Sequence, residues 1–427
     1  MSTFTRGARK HTRSFCTILC VFASLIGAGC ASSGGGGNGF TGGPGVDTSA
    51  KTITLGILTP LTGQVAAPIG IPLTMGIATY FDGVNASGGI DGYQVNLIEK
   101  DTQYSPQLEV QQYNAIKGNV AMFGESLGTP TTQAIVNSAN SDHVLVSAAT
   151  LDSYLAREAY TILIGTPYRL QVENAFDYLV NKVGVKNPKV GIIYQDDGFG
   201  QDGLKGYQES VGCYSLSDVA QATYELTDTS FVSQVTKMKQ AGAQYVVLTA
   251  IPTIAAGIIG AGAAIGYFPK WILSSPAWAN GLLAVSPAFT GLLKQTVWVV
   301  AQGATWGDRS VPAMAKMLDD LAKYDPTQQP DGFFEFGYAE ALVTGAILKK
   351  AADNHDLSRA GLFNAFNTLG TVNLGGLFGA TVTYGSSANQ RVPTRDNSVY
   401  GIDTTIPNNF KNLSGDFVGT CAAKSQF

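Results

Sequence analysis

Within the 427 residues, the run Gly124-Glu125-Ser126-Leu127-Gly128 has the spacing of a nucleophile elbow. In such a turn a serine leaves a strand and opens a helix with its Oγ free to attack an ester, and an acid and then a histidine follow later in the chain. Asp320 or Asp331 is the candidate acid and His355 the candidate base. The surroundings weigh against a hydrolase. Beyond the N-terminal leader the chain has only His143 and His355. His355 lies in AADNHDLSRAGLFNAF, where Asp356 or Ser358 reads as a helix cap and the histidine as a surface loop residue. No HGGG-type oxyanion segment precedes the serine. The helix is predicted to begin at Thr129-Pro130-Thr131, with proline at its first position, later than an elbow requires. We read the run as a Gly-rich turn before a helix.

A second constellation, Gly198-Phe199-Gly200-Gln201-Asp202-Gly203, matches the G-x-G-x-x-G pattern that sets a pyrophosphate against a helix N-terminus. Asp196 and Asp197 immediately precede it and Asp202 lies inside it. Three carboxylates beside a pyrophosphate repel it by several kcal/mol in a partly buried site. No P-loop pattern occurs, and no Cys/His cluster suggests a metal. No catalytic residue, cofactor or metal is therefore expected.

The elements around these turns alternate. Strand-like runs are Thr52–Leu58, Tyr93–Glu99, Asn119–Gly124, Val144–Ala148, Lys189–Tyr194, Tyr245–Ala250, Trp271–Leu273 and Val297–Ala301. Helical stretches lie between them, such as Leu73–Asn85, Pro130–Asn140, Tyr168–Val183, Phe199–Val211, Phe231–Ala241 and Val311–Lys323. The apolar stretch Ile254–Ile265 is too short to span a bilayer and suits a buried helix. Strands separated by such helices imply βαβ crossovers, parallel sheets and an α/β fold. Ligands of open parallel sheets sit beyond the carboxyl ends of the strands, so function is sought in the following loops.

The N-terminus carries Arg6, Arg9, Lys10 and Arg13, then an apolar run from Phe15 to Ala28, then Gly29 and Cys30. A basic region, a short apolar core and small residues describe a secretory signal, expected over 1–29. The ending resembles a bacterial lipobox, with Gly27 where leucine is usual, and implies lipidation of Cys30 and a lipid anchor in the membrane. The alternative is an ordinary cut nearby that leaves a free thiol. The Gly/Ser-rich stretch 30–50 is expected to be a loose tether. The net charge is −4, and loss of the four leader cations makes the remainder more acidic. Nucleic acid is excluded as a partner on that ground. Cys16 and Cys20 leave with the leader. Cys213 and Cys421 remain, an even count that permits either one disulfide or two separate buried thiols.

LGILTPLTGQVAAPIGIPLTMGIATYFDGVNASGGIDGYQVNLIEKDTQ resembles the opening of the branched-chain amino-acid-binding proteins (Leu/Ile/Val type) of ABC importers. The shared features fall on the Pro60 to Gly63 turn, Asn85, the Gly88 to Gly92 corner and Asp101. The likeness continues through GESLGTPTTQAI, VLVSAAT, VGIIYQDDGFGQDGLKGY and GGLFGATVTY. It implies a type I periplasmic-binding fold: two similar lobes, each a parallel-rich sheet flanked by helices, joined by three crossover strands. The implied lobes are 51–165 plus 302–376 and 166–301 plus 377–427, with Cys213 and Cys421 both in the second, which favours the bridge. The implied function is an extracytoplasmic substrate-binding lipoprotein that hands a small molecule to ABC permease subunits. A sensor with the same fold and a hydrolase using Ser126 are the alternatives.

The resemblance also implies a ligand set. A ligand carboxylate would meet Ser126, Gly128 and Thr129 in one loop and Ala148, Ala149 and Thr150 in the next. Thr129 is expected to cap the helix from Pro130, whose dipole favours an anion. Phe199 would close over the ligand, and Ala250 and Ile251 would face the cleft. Relatives that bind amino acids carry an acid for the ammonium where this chain reads Ser274-Ser275-Pro276-Ala277-Trp278. An unpaired ammonium in a closed cleft costs about 1–3 kcal/mol or more. The ligand expected here is an amino acid only if another acid, such as Glu125, takes over. Otherwise Ala277, Trp278 and Phe199, with Trp306 a further candidate, suit an apolar or aromatic carboxylate.

Overall fold

The computed structural model describes residues 39–303, 306–326, 331–406 and 409–427. The leader, Cys30 and the first part of the Gly/Ser-rich stretch lie outside the described residues. In chain order the first strands and helices are β1 (Thr41–Gly42), β2 (Val46–Asp47), β3 (Thr52–Thr59), α1 (Ile71–Ala86), β4 (Gln94–Asp101), α2 (Pro106–Ile116), β5 (Met122–Leu127), α3 (Thr129–Asp142), β6 (Val146–Ala149) and β7 (Thr161–Ile162). They build a sheet ordered β2-β3-β5-β6-β7, with β4 also paired to β3. β3 is parallel to β4 and β5, and β2 alone runs against it. Ile53, Leu55, Ile57 and Leu58 on β3 are fully buried. Near-continuous apolarity of this kind marks a strand covered on both faces.

The chain then crosses to a second sheet through α4 (Tyr168–Asp177), β8 (Lys189–Gln195), α5 (Gly198–Tyr214), β9 (Ser217–Tyr224), α6 (Val232–Ala241), β10 (Tyr245–Thr249), α7 (Pro252–Ala264), β11 (Lys270–Ser274), α8 (Pro287–Thr296) and β12 (Val297–Ala301). It returns to the first part with α9 (Pro312–Tyr324), α10 (Gly332–Asp353), β13 (Asp356–Leu357), α11 (Arg359–Asn367) and the hairpin β14 (Gly370–Gly376) and β15 (Gly379–Tyr384). It ends in the second sheet with β16 (Ser398–Ile402) and β17 (Phe410–Asn412), giving the order β17-β16-β12-β11-β10-β8-β9. Three passages between two parallel-rich sheets match the expected architecture. The hairpin holds β15 beside β14, so the last passage follows Tyr384 rather than Gly376.

Local contacts explain several motif residues. Asn85 at the end of α1 donates to Val95 O and accepts from Val95 N, both at 2.8 Å, which pins the helix to β4. Asp101 accepts from Leu61 N, Thr62 Oγ1 and Gln103 N and so holds the Pro60–Gly63 turn. Helices α1 and α10 meet backbone to backbone. A Cβ on Gly76 would lie 2.1 Å from Phe334 O, and one on Gly337 would lie 1.9 Å from Leu73 O. That contact seats the first turn of α10 against the space between the sheets.

Residues 39–50 are not a loose tether. Phe40 packs on the rings of Tyr93 and His355, β1 pairs with β13, and β2 pairs with β3. An aromatic ring among glycines has enough apolar surface to dock, which the surrounding composition alone does not convey.

Candidate ligand-binding site

Between the two sheets, loops from both close around a cavity with about 1260 Å³ of free space, its open mouth included. At its first-sheet side β5 is followed by Gly128, whose φ is +105°. A Cβ there would stand 2.3 Å from the Tyr104 ring, so glycine is required by both backbone and space. Helix α3 begins at Thr129 with Gly128 in the capping position and no side-chain cap. Thr129 is therefore not the cap expected of it. Its Oγ1 instead lies 2.6 Å from Thr150 Oγ1, and the Tyr168 hydroxyl stands 3.5 Å beyond. Tyr168 packs edge-on against Phe199 from the start of α5.

The second-sheet side brings Ile251, Ser275, Trp278 and Asn280. Trp278 tilts against Phe410 and its Nε1 donates to Asn280 Oδ1 at 3.4 Å. The passages between sheets add Gln302 and Trp306, and the first turn of α10 adds Phe333, Glu335 and Phe336. Among the expected contacts, Gly128, Thr129, Ala149, Phe199, Ile251, Trp278 and Trp306 line the cavity.

Five expected contacts lie elsewhere. Ser126 Oγ is buried and bonds Glu109 Oε1 at 2.7 Å and Thr132 Oγ1 at 2.9 Å. Its place within β5 turns it away from the cleft, because alternate strand residues face opposite sides. Ala148, Ala250 and Ala277 are fully buried in the packed core. Thr150 is buried behind two lining residues, bonded to Thr129 and 3.5 Å from the Tyr168 hydroxyl. Glu125 is likewise buried away from the cavity, where Thr74 Oγ1 donates to it at 3.0 Å.

The enzyme-like patterns have structural explanations. His143 closes α3 in a left-handed conformation, and His355 packs on Phe40; neither bonds Ser126. Ser358, not the histidine, serves the next helix by capping α11 through Gly361 N. In the G-x-G-x-x-G turn, Asp197 occupies the α5 N-terminus by accepting from Gly200 N at 3.2 Å. Gly200 and Gly203 let α5 sit close on the sheet, since added Cβ atoms would fall 1.8 Å from Gln195 O and 2.2 Å from Thr249 Cγ2. Asp202 is spent on Ser153 and the Arg169 backbone. Among the described residues no group of His, Cys, Asp or Glu is placed to hold a metal ion. No described helix is long and apolar enough to cross a membrane.

Cys213 and Cys421 are free thiols in this structure rather than the expected bridge. They are neighbours all the same. Burial, and after it a hydrogen bond with Cys213, push the Cys421 thiol well above the usual thiol range.

Sequence reasoning missed Tyr104 and Gln302, although both lie just beyond predicted strands, and Glu335, Phe336 and Tyr400, which come from elements far along the chain from the loops they join. Glu335 is the most consequential. It is the one carboxyl among the described lining residues, which include no Lys, Arg or His. It is 4% exposed, its Oε1 has no hydrogen-bond partner, and burial raises its pKa well above the usual carboxylate range.

Two parallel-rich sheets flanked by helices, joined by three passages and enclosing an apolar cavity, are the architecture of the type I periplasmic-binding class. Residues 52–405 match the model of the family described as periplasmic binding protein, and the chain belongs to that family. A fatty acid ABC transporter substrate-binding protein from Thermomonospora curvata superposes with a TM-score of 0.84 at 27% identity, over 91% of this chain and 97% of that one. A branched-chain amino acid ABC transporter structure from Thermus thermophilus with bound valine aligns at TM-score 0.76 and 15% identity, over 87% of this chain and 98% of that one. Leu/Ile/Val-binding protein homolog 3 of Brucella melitensis is 28% identical over 198 residues, 45% of this chain. The match spans about half of that relative's length (53%).

Proposed function

We propose that this chain is the extracytoplasmic substrate-binding component of an ABC importer and captures an apolar carboxylate, such as a fatty or aromatic acid, between its lobes. The observation that carries this reading is the cavity wall. Aromatic and aliphatic side chains dominate it, and the segment 274–278 supplies no acid for an ammonium. Burying an apolar chain against such a wall stabilises the complex by roughly 25 cal/mol per Å². The similarity to a protein named for fatty acids supports the same class.

The wall residues Gly128, Thr129, Ala149, Phe199, Ile251, Trp278 and Trp306 contact the ligand on this reading. The two lobes are 51–165 plus 302–376 and 166–301 plus 377–427, with the last boundary shifted past Tyr384 by the hairpin. The engaged Ser126 hydroxyl supports capture without chemistry. The leader would export the chain and a lipid on Cys30 would hold it at the membrane beside its permease.

Titration calorimetry with octanoate, decanoate, palmitate, phenylacetate, leucine and valine tests the reading. Micromolar or tighter binding of at least one apolar acid, with leucine and valine silent, is expected. Binding of leucine or valine alone would overturn it.

A further inference from the structure

Among the described residues, two buried polar atoms of cavity-lining side chains lack partners. Gln302 Oε1 accepts from Thr166 N, but Gln302 Nε2 is buried with no acceptor. Glu335 Oε1 is buried with no donor, against Gly303, the residue that follows Gln302: a Cβ on Gly303 would lie 3.2 Å from it. By contrast the Thr129 and Thr150 hydroxyls, where a ligand carboxylate is expected from the sequence, already bond each other, which leaves one hydroxyl hydrogen between them. A buried polar atom left unpaired costs about 1–3 kcal/mol, so each of these two wall residues keeps a pairing capacity that a ligand group can fill.

We propose that Gln302 and Glu335 form the head-group site, in which a neutral Glu335 carboxyl and the Gln302 amide both donate hydrogen bonds to the carboxylate of the ligand. This rests on the reading of the ligand as an apolar acid and names the residues that recognise it.

The chemistry is consistent with the wall. Among the described residues no cation lines the cavity, so these can hold a bound carboxylate only with neutral donors. Gln302 Nε2 can only donate. An unpaired buried carboxyl stays protonated and then donates as well. Two donors suit an acceptor group and not an ammonium. The proton stays on Glu335 or is shared between the two carboxyls, and no other bond is made or broken.

Binding is therefore linked to keeping Glu335 protonated. Titratable groups that face it are the Tyr400 phenol on β16, which bonds Gly303 O, and Asp331 at the start of its own helix. The adjoining stretch of α1, Leu73 to Ile77, carries none. Asp331 is raised to about 6 by burial, so a control is needed for its titration.

The test measures decanoate affinity by quenching of tryptophan fluorescence from pH 6 to 9 in the full-length protein and in Glu335→Gln, Glu335→Ala and Thr150→Val variants, each checked for folding by circular dichroism. Wild-type affinity is expected to fall as pH rises past the Glu335 pKa, by up to tenfold per pH unit. Glu335→Gln, which keeps a donor but cannot ionise, should bind with a flat profile apart from any residue due to Asp331. Glu335→Ala should weaken binding about 10- to 100-fold, the worth of a hydrogen bond to a charged group. Thr150→Val should bind as wild type does.

The proposal is overturned if both Glu335 variants keep the wild-type affinity and pH profile, or if Thr150→Val alone loses binding. It is also overturned if decylamine binds and tightens as pH rises, because Glu335 would then act as a carboxylate. If no apolar acid binds the wild type at all, the ligand reading itself fails. That outcome is visible before any variant is made.

Discussion

Replacing Gly337 by alanine should destabilise the protein by about 2 kcal/mol, although alanine is the better helix former. The new Cβ would sit 1.9 Å from Leu73 O of α1. A backbone carbonyl cannot rotate aside as a side chain can, so the helices must part. Overpacking of this kind costs about 1–3 kcal/mol, and an immovable neighbour puts it at the upper end. Against that, Gly→Ala within a helix gains about 0.8–1 kcal/mol. The difference sets both sign and size. Gly260 in α7 is the matched control: it is helical and a Cβ there meets nothing within 4 Å. Gly260→Ala should stabilise by about 0.5–1 kcal/mol. Urea unfolding followed by circular dichroism measures both shifts in midpoint. Opposite shifts support the packing argument. If Gly337→Ala leaves the midpoint unchanged or raises it, the close contact between α1 and α10 does not govern stability. Because α10 carries Phe333, Glu335 and Phe336 into the cavity, Gly337→Ala should also weaken decanoate binding, while Gly260→Ala should not.

Burial pushes the Glu109 carboxyl up to about 8, with Ser126 opposing by hydrogen bonding. A folded pKa above the unfolded value of about 4.3 means that the stability from neutral Glu109 is fully present below that value. It is lost as pH rises through about 8, with a slope of up to about 1.4 kcal/mol per unit. Glu109→Gln should flatten that part of a urea-midpoint profile between pH 5 and 9, and an unchanged slope would count against the assignment. Mild oxidation should join Cys213 to Cys421, seen as a loss of two mass units reversed by dithiothreitol; no intramolecular product would mean that the neighbouring thiols cannot reach bonding geometry. In a bacterial host, Cys30→Ser should move the protein from the membrane fraction to the soluble extracytoplasmic fraction, and unchanged membrane retention would argue against the lipid anchor.

Much of the architecture was legible in linear order. β3, β8 and β12 stand out as apolar β-branched runs, and the strand–helix alternation implies parallel sheets. The α5 boundary moved by one residue because Asp197 caps the helix at Gly198, and α10, capped by Asp331, was not among the helices read from the sequence. The site was legible only in part. Gly128, Thr129, Ala149, Phe199, Ile251 and Trp278 follow strands, and loops beyond parallel strands face the cleft. Ala250 and Ala277 also follow strands yet are buried in the core, and Ser126 and Ala148 lie within β5 and β6, where they too are buried.

The enzyme-like serine turn with which the chain first presents itself is a matter of spacing, and spacing alone cannot say which way a side chain faces. Local pattern by itself determined the α/β class and the parallel sheets, because those depend on periodicity within short windows; the two-lobe plan and the ligand loops came from the resemblance of longer motifs. Only the tertiary structure decided that Ser126 is engaged by Glu109 and that Phe40 is docked. Only it brought Glu335, more than 200 residues beyond Ser126 in the chain, to the cavity as its one carboxyl among the described lining residues. Neighbours so distant in sequence are joined by the close packing of α10 on α1, and no local pattern encodes that contact.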